Sequence, residues 1–303
     1  MQLRKMHEGI FKQVSLKYPQ LLSWTNYDEL ERNVDTFFQK VWEIRQKRIF
    51  NSNKSFKVEE LFDYMLWTSE SEFLDVPDFP VEKKHKIVYA LHLQNILLRC
   101  YQIFVKAMKP LIETINHCEG REARILELAS GSGKFVMETV KLMQKKKLQV
   151  VMTGSDYIPA YVKNANIDAK RLNLPVNFRV INAYNLDDIQ EGEFDFIFIA
   201  QALHHFTSGQ LARIIAGAVK AAQYGFLGID GQRSFASVPV IAGLGFYKSI
   251  LSIDSCFFHD ALISSRRLYP NPHLEKIAKI AAPNASIKTK RIVAHTTIHI
   301  QNK

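Results

Sequence analysis

The sequence predicts an α/β protein in which a mostly parallel sheet, covered by helices on both faces, follows an all-helical region. Three observations carry this. From residue 124 onward, short strand-like runs alternate with helical periodicity, the pattern of a parallel sheet. Residues 1–118 show helical spacing and no strand alternation. Between the two, "ILELASGSGKF" (125–135) passes from an apolar run through an acid into a turn of small residues with two glycines, then into a helix.

In the N-terminal region, Asn26 with Glu29 three residues on reads as a capping box. Val34, Phe37, Phe38, Val41 and Trp42 then form one apolar face. A further helix starts near Val58 and ends before the proline-rich "DVPDFP". A long helix is expected over 83–108, with Pro110 opening the next. Strands are expected at 124–128, 149–155, 177–182, 194–200 and 225–230, with helices between them. A helical insertion, 231–282, comes next. The β-branched residues of "SIKTKRIVAHTTIHIQ" close the chain as two strands paired in a hairpin. The chain thus divides into a helical region, 1–118, and a sheet domain, 119–303, that contains the insertion.

Composition narrows the classes. At 303 residues, 47% hydrophobic and 23% charged, the chain reads as an ordered globular protein. The N-terminus has no secretory pattern. The most apolar long stretch, 235–253, is interrupted by Pro239, Gly243, Gly245 and Lys248, so no membrane span is expected. Three widely spaced cysteines, Cys100, Cys118 and Cys256, fit a reducing cytoplasm. No metal-ligand spacing stands out, and no metal is expected. The net charge of +10 falls almost wholly within 121–303. This suits an anionic partner, RNA among them, or a plain solvated basic surface.

Two ligands compete for the glycine turn. A dinucleotide fingerprint finds Gly131 and Gly133 but meets Val136 where its third glycine belongs. S-adenosylmethionine (SAM) instead brings a cationic methionine end and a ribose diol. An acid at the end of the first strand, Glu127, suits the cation. A second acid at the end of the next strand, Asp156, suits the diol.

The stretch "ELASGSG" (Glu127 to Gly133) resembles the first motif of the class I SAM-dependent methyltransferases, with Ala129 in place of the first of three glycines. "VVMTGSDYIPAYV", "VINAYNL", "FDFIFIAQALHHF" and "AVKAAQYGFLGID" are similar to the family's later segments, in order over 124–230. The resemblance implies a Rossmann-like sheet, mostly parallel with an antiparallel last strand, behind a helical N-terminal cap. It implies SAM as cofactor, held by Glu127, Ala129, Gly131, Gly133, Asp156, Tyr157, Ile158, Asn182, Ala183 and Gln201. Asn182 stands where the family usually has an acid near the adenine. The implied reaction is in-line methyl transfer to a small-molecule acceptor, most simply an oxygen. A non-catalytic SAM-binding protein is the alternative outside enzymes.

His204 matches the position of the base in related plant O-methyltransferases, and His205 is the other candidate base. Arg266 and Arg267 offer a substrate anion a partner, or a solvated loop two cations. An RNA acceptor is disfavoured because "AQALHHF" lacks the Asn/Asp-Pro-Pro-aromatic tetrapeptide of amino-directed base methylation. Self-association, if any, is expected through the helical N-terminal region.

Overall fold

The computed structural model describes residues 2–50, 58–233 and 255–302. The stretch 235–253, and with it the middle of the insertion, lies outside the described residues. In chain order the elements are α1 (Gln2–Lys17), α2 (Tyr27–Phe50), α3 (Val58–Leu66), α4 (Val81–Leu97), α5 (Cys100–Cys118), β1 (Ala123–Glu127), α6 (Lys134–Lys145), β2 (Val150–Asp156), α7 (Pro159–Arg171), β3 (Val176–Val180), β4 (Phe194–Ala200), α8 (Ser208–Ala221), β5 (Ala222–Gly231), α9 (Ser255–Arg267), α10 (Asn271–Ala281), β6 (Ser286–Ile292) and β7 (His295–Gln301). No described helix is long and apolar enough to cross a membrane.

The chain forms two compact units. The first gathers Met1–Lys84, His204–Ala216 and Gly231–Pro283. The second gathers His85–Leu203, Gly217–Asp230 and Asn284–Lys303.

The second unit carries a seven-stranded sheet in the order β3-β2-β1-β4-β5-β7-β6. β1 to β5 run parallel, and β6 and β7 form the antiparallel hairpin expected from their β-branched sequence. β4 is apolar almost throughout because both of its faces are covered; Ile197, Phe198 and Ile199 are fully buried. Helices α5, α6 and α7 bury Phe104, Val105, Met108, Val136, Val140 and Ala165 in the same core as β1 and β2. β1 leads on to β2 and β3 in one direction, while β4 leads on to β5 in the other. The carboxyl ends of β1 and β4 therefore border a topological switch point, the crevice where open α/β sheets bind ligands.

One expected helix is two. The helix read over 83–108 breaks between α4 and α5, where Arg99 takes a left-handed backbone (φ 54°). Pro110 lies inside α5 instead of opening a new helix. The buried face of α5 explains this: Tyr101, Phe104, Met108, Ile112 and Ile115 lie on both sides of the proline, and their burial outweighs the missing backbone hydrogen bond.

In the first unit, α1, α2 and α10 pack through Phe11, Phe37, Phe38 and His273. The predicted cap of α2 is present. Asn26 Oδ1 accepts the Glu29 N–H at 2.9 Å, and Glu29 reaches back to the Thr25 N–H at 2.7 Å.

Candidate active site

In the second unit the turn after β1 is built by its own small residues. Ser130 N–H donates to the Ser155 carbonyl at 2.8 Å, and Ser155 N–H donates to Ser130 Oγ at 3.0 Å. Ser155 Oγ donates to the Glu127 carbonyl at 2.8 Å. These bonds fasten the end of β1 to the end of β2. Gly133 opens α6 with φ 70°, and an added Cβ would lie 2.6 Å from the Phe178 ring. The glycine there is a packing requirement as well as a conformational one. Ala129 takes φ 55°, a left-handed conformation that a glycine adopts without penalty. Gln201, just past β4, takes φ 54°. Two strained residues thus stand at the carboxyl ends of β1 and β4, where strain tends to accompany function.

Glu127 ends β1 and is only 2% exposed. Its Oε2 is buried without a hydrogen-bond partner. Burial pushes the carboxyl up to about 8, and the nearby Asp156 charge adds to the rise. The group is incomplete as it stands: a buried carboxyl beside a second carboxylate invites a cation.

Asp156 ends β2. Its Oδ2 accepts the Gly131 N–H at 2.9 Å and its Oδ1 accepts the Ile158 N–H at 3.0 Å. Burial raises its pKa, and these backbone donors partly offset the rise. The side chain is therefore both a latch on the glycine turn and an acceptor, since each oxygen keeps a second lone pair. Beyond it, Tyr157 is 69% exposed and Ile158 half-buried. Asn182 is exposed, and its Oδ1 accepts the Tyr184 N–H at 3.0 Å; Ala183 beside it is half-buried.

Gln201 brings in a partner that sequence reasoning missed. Its amide pairs reciprocally with that of Asn95 on α4, with N–O distances of 2.7 and 3.1 Å. Asn95 is buried and lies beside Tyr101, whose hydroxyl is 2.8 Å from His92 Nδ1. Burial raises the Tyr101 pKa, and the Glu127 charge contributes to the rise. No local signal marked it: Asn95 follows Gln94 in a helix of mixed polar and apolar residues.

His204 and His205 lie in the first unit, on a short 3-10 turn (Leu203–His205). His204 Nε2 is 3.4 Å from Glu72 Oε1, and both residues are buried. His205 Nδ1 pairs with Asp75 Oδ1 at 2.8 Å, and its Nε2 is 3.9 Å from Glu72 Oε2. Burial would raise the Glu72 carboxyl, but the hydrogen bond from His204 and the His205 and His204 charges outweigh it, leaving the pKa below the ordinary value. The sequence offered no cluster of metal-ligand spacing, yet the fold assembles one from Glu72 and this histidine pair. Linear spacing cannot show ligands drawn from segments so far apart in the chain.

The two arginines are engaged. Arg267 bonds Asp75 Oδ2 and the His205 carbonyl, each at 3.0 Å. Arg266 Nε donates to the Leu66 carbonyl at 2.9 Å.

Residues 125–225 match a family model described as a methyltransferase domain. Among solved structures, the chain is similar to the plantazolicin methyltransferase BpumL in complex with SAH, at 13% identity and a TM-score of 0.53, over 86% of this chain and 100% of that one. It is also similar to the plantazolicin methyltransferase BamL, in complex with a triazolic desmethylPZN analog and SAH, at 12% identity and a TM-score of 0.52, over 82% and 100%. These likenesses concern the fold. No curated protein sequence matches the chain.

Proposed function

We propose that this chain is a class I SAM-dependent methyltransferase that moves the methyl group of SAM onto an oxygen of a small-molecule acceptor. The cofactor reading rests above all on the unpartnered buried Oε2 of Glu127, which a cationic methionine end would complete. Asp156 takes the ribose hydroxyls through its remaining lone pairs. The Gly131–Gly133 turn lets the cofactor approach the backbone closely, and Tyr157 and Ile158 flank the adenine beside Asn182 and Ala183. Gln201, steadied by Asn95, presents a fixed amide at the end of β4.

When bound, SAM supplies a methyl group already activated by its positive sulfur. The protein's own residues then provide alignment, which can contribute roughly 7–11 kcal/mol, and a proton acceptor where the acceptor atom needs one. An oxygen acceptor is favoured by one observation: His204 and His205 are each backed by a carboxylate, Glu72 and Asp75. A histidine so held is suited to take a proton from a hydroxyl at neutral pH, a step that a thioether or a free amine does not require. We place this role on His204, with His205 next to it. Choice of acceptor falls to the regions 1–118 and 231–282.

The test is transfer of isotope-labelled methyl from SAM to a panel of phenols, hydroxy acids, carboxylates and RNA, with the product read by NMR. An O-methyl product from a small molecule is expected. Label entering RNA alone would overturn the reading. In the same assay His204→Ala should lower turnover by about 10²–10⁴-fold while calorimetric affinity for SAM stays unchanged.

A further inference from the structure

We propose that Glu72, His204 and His205 form a binding site for a divalent first-row transition cation of the zinc type. The site lies wholly within the first unit, and its donors are two imidazoles and one carboxylate. That set matches two-histidine-one-glutamate centres that leave a coordination position open.

The distances fit. A tetrahedral cation with bonds of 2.0–2.1 Å sets its ligand atoms about 3.3 Å apart. His204 Nε2 is 3.4 Å from Glu72 Oε1, and His205 Nε2 is 3.9 Å from Glu72 Oε2. All three donors lie within 4.8 Å of one another, a set that small side-chain rotations draw together. The second separation is too long for a hydrogen bond, so it does not explain why His205 turns this nitrogen toward Glu72.

Two further observations point to a cation. Glu72 has a side chain only 3% exposed; its carboxylate is hydrogen-bonded by His204 and Ser264, and its Oε1, 3.4 Å from His204 Nε2, makes no hydrogen bond of its own. That oxygen keeps its lone pairs for a cation. His205 also has the outer support typical of a metal ligand. Asp75 pairs with Nδ1 at 2.8 Å; in the neutral ring that donates Nδ1–H to it, Nε2 is the lone-pair nitrogen facing Glu72. Arg267 in turn holds Asp75 at 3.0 Å. Asp260 is close enough to act on Glu72 electrostatically, and its own oxygens accept the Phe73 and Leu74 N–H groups. Glu72, Asp75 and Asp260 against Arg267 leave the surroundings net negative, as a cation site requires.

A cation here and an imidazole base are alternative occupants of one cluster. With the cation bound, His204 is a ligand, and the charge beside an acceptor hydroxyl lowers that hydroxyl's pKa directly. This consequence rests on the methyl-transfer reading, whereas cation binding does not, so the test uses metal alone.

Protein stripped with a chelator is titrated with Co²⁺, followed by its visible d–d bands, and with Zn²⁺ by calorimetry. One equivalent should bind with the intense absorption of a low-symmetry, four-coordinate site. Glu72→Gln and His205→Ala, checked for native circular dichroism, should weaken that equivalent by 100-fold or more. Asp75→Asn, which keeps all three ligands, should weaken it by about 10–100-fold and serves if the ligand variants fail to fold. Absence of saturable binding to the wild-type protein would overturn the proposal. So would variants that bind as the wild type does, since the metal would then sit elsewhere. SAH affinity, measured in parallel, reports separately on the cofactor site.

Discussion

At the scale of single residues, Glu127 links stability to pH and, in the proposed reading, to cofactor binding. In the unfolded chain its carboxyl ionises near 4.5, and in the folded protein burial moves it to about 8. Between these values the unfolded state holds fewer protons than the native state. Stability from this group is therefore lost as pH rises through that window. Glu127→Gln removes the penalty, and we expect it to raise stability of the cofactor-free protein at pH 8 by about 2–4 kcal/mol in chemical denaturation. The same change should weaken SAM binding, because a neutral amide cannot balance the ammonium. SAM binding to the wild type at pH 7 should also release a proton, so its calorimetric enthalpy should vary with the ionisation enthalpy of the buffer. A buffer-independent enthalpy would mean that Glu127 does not change charge on binding. Asp156 acts differently, because its oxygens already accept two backbone N–H groups. Asp156→Ala should cost about 1.5–3 kcal/mol of SAM affinity, the value of a charged hydrogen bond, and should also loosen the Gly131 turn. Unchanged affinity in calorimetry would remove Asp156 from the site.

At the scale of elements, the strand–turn–helix after β1 concentrates the constraints. Ala129 holds a left-handed conformation at a cost of roughly 1–2 kcal/mol that glycine escapes. Ala129→Gly should stabilise the protein by about 0.5–1 kcal/mol, after allowing for the glycine's greater freedom in the unfolded chain. Gly133→Ala should do the opposite. It combines φ 70° with a Cβ driven against Phe178 and Ala165, and should destabilise by about 2–4 kcal/mol. Denaturation midpoints of the two variants check both signs. This element was also the most legible in the sequence, because an apolar run, an acid and glycines encode it locally. The same holds for β4, whose run, apolar except for Asp195, predicted its limits at 194–200. What the sequence hid was not local. The break at Arg99 and the interior position of Pro110 are decided by the buried face of α5, and no nearby residue announces them. Asn95 and Glu72 acquire meaning only through Gln201 and the histidine pair, which the fold brings to them from distant segments.

At the scale of the whole molecule, the two compact units hold the residues of the two proposals separately. Every residue assigned to the cofactor, from Glu127 to Gln201, belongs to the second unit, and Glu72, His204 and His205 belong to the first. A ligand stabilises the states that bind it by RT ln(1 + [L]/Kd), about 2.7 kcal/mol at a hundred times Kd. That stabilisation suppresses only those openings that destroy the site. Saturating SAH should therefore slow hydrogen exchange chiefly over 127–133, 154–158 and 200–201, and in the strands β1, β2 and β4 that carry them. Helices α2 and α10 contribute no residue assigned to the cofactor, so their exchange through local openings should change least. The contrast is a sharper test than a shift in melting temperature, which any bound ligand produces. Protection that spares the 127–133 turn would place SAH elsewhere. Protection equal in α2 and β1 would mean that the two units open together as one cooperative structure.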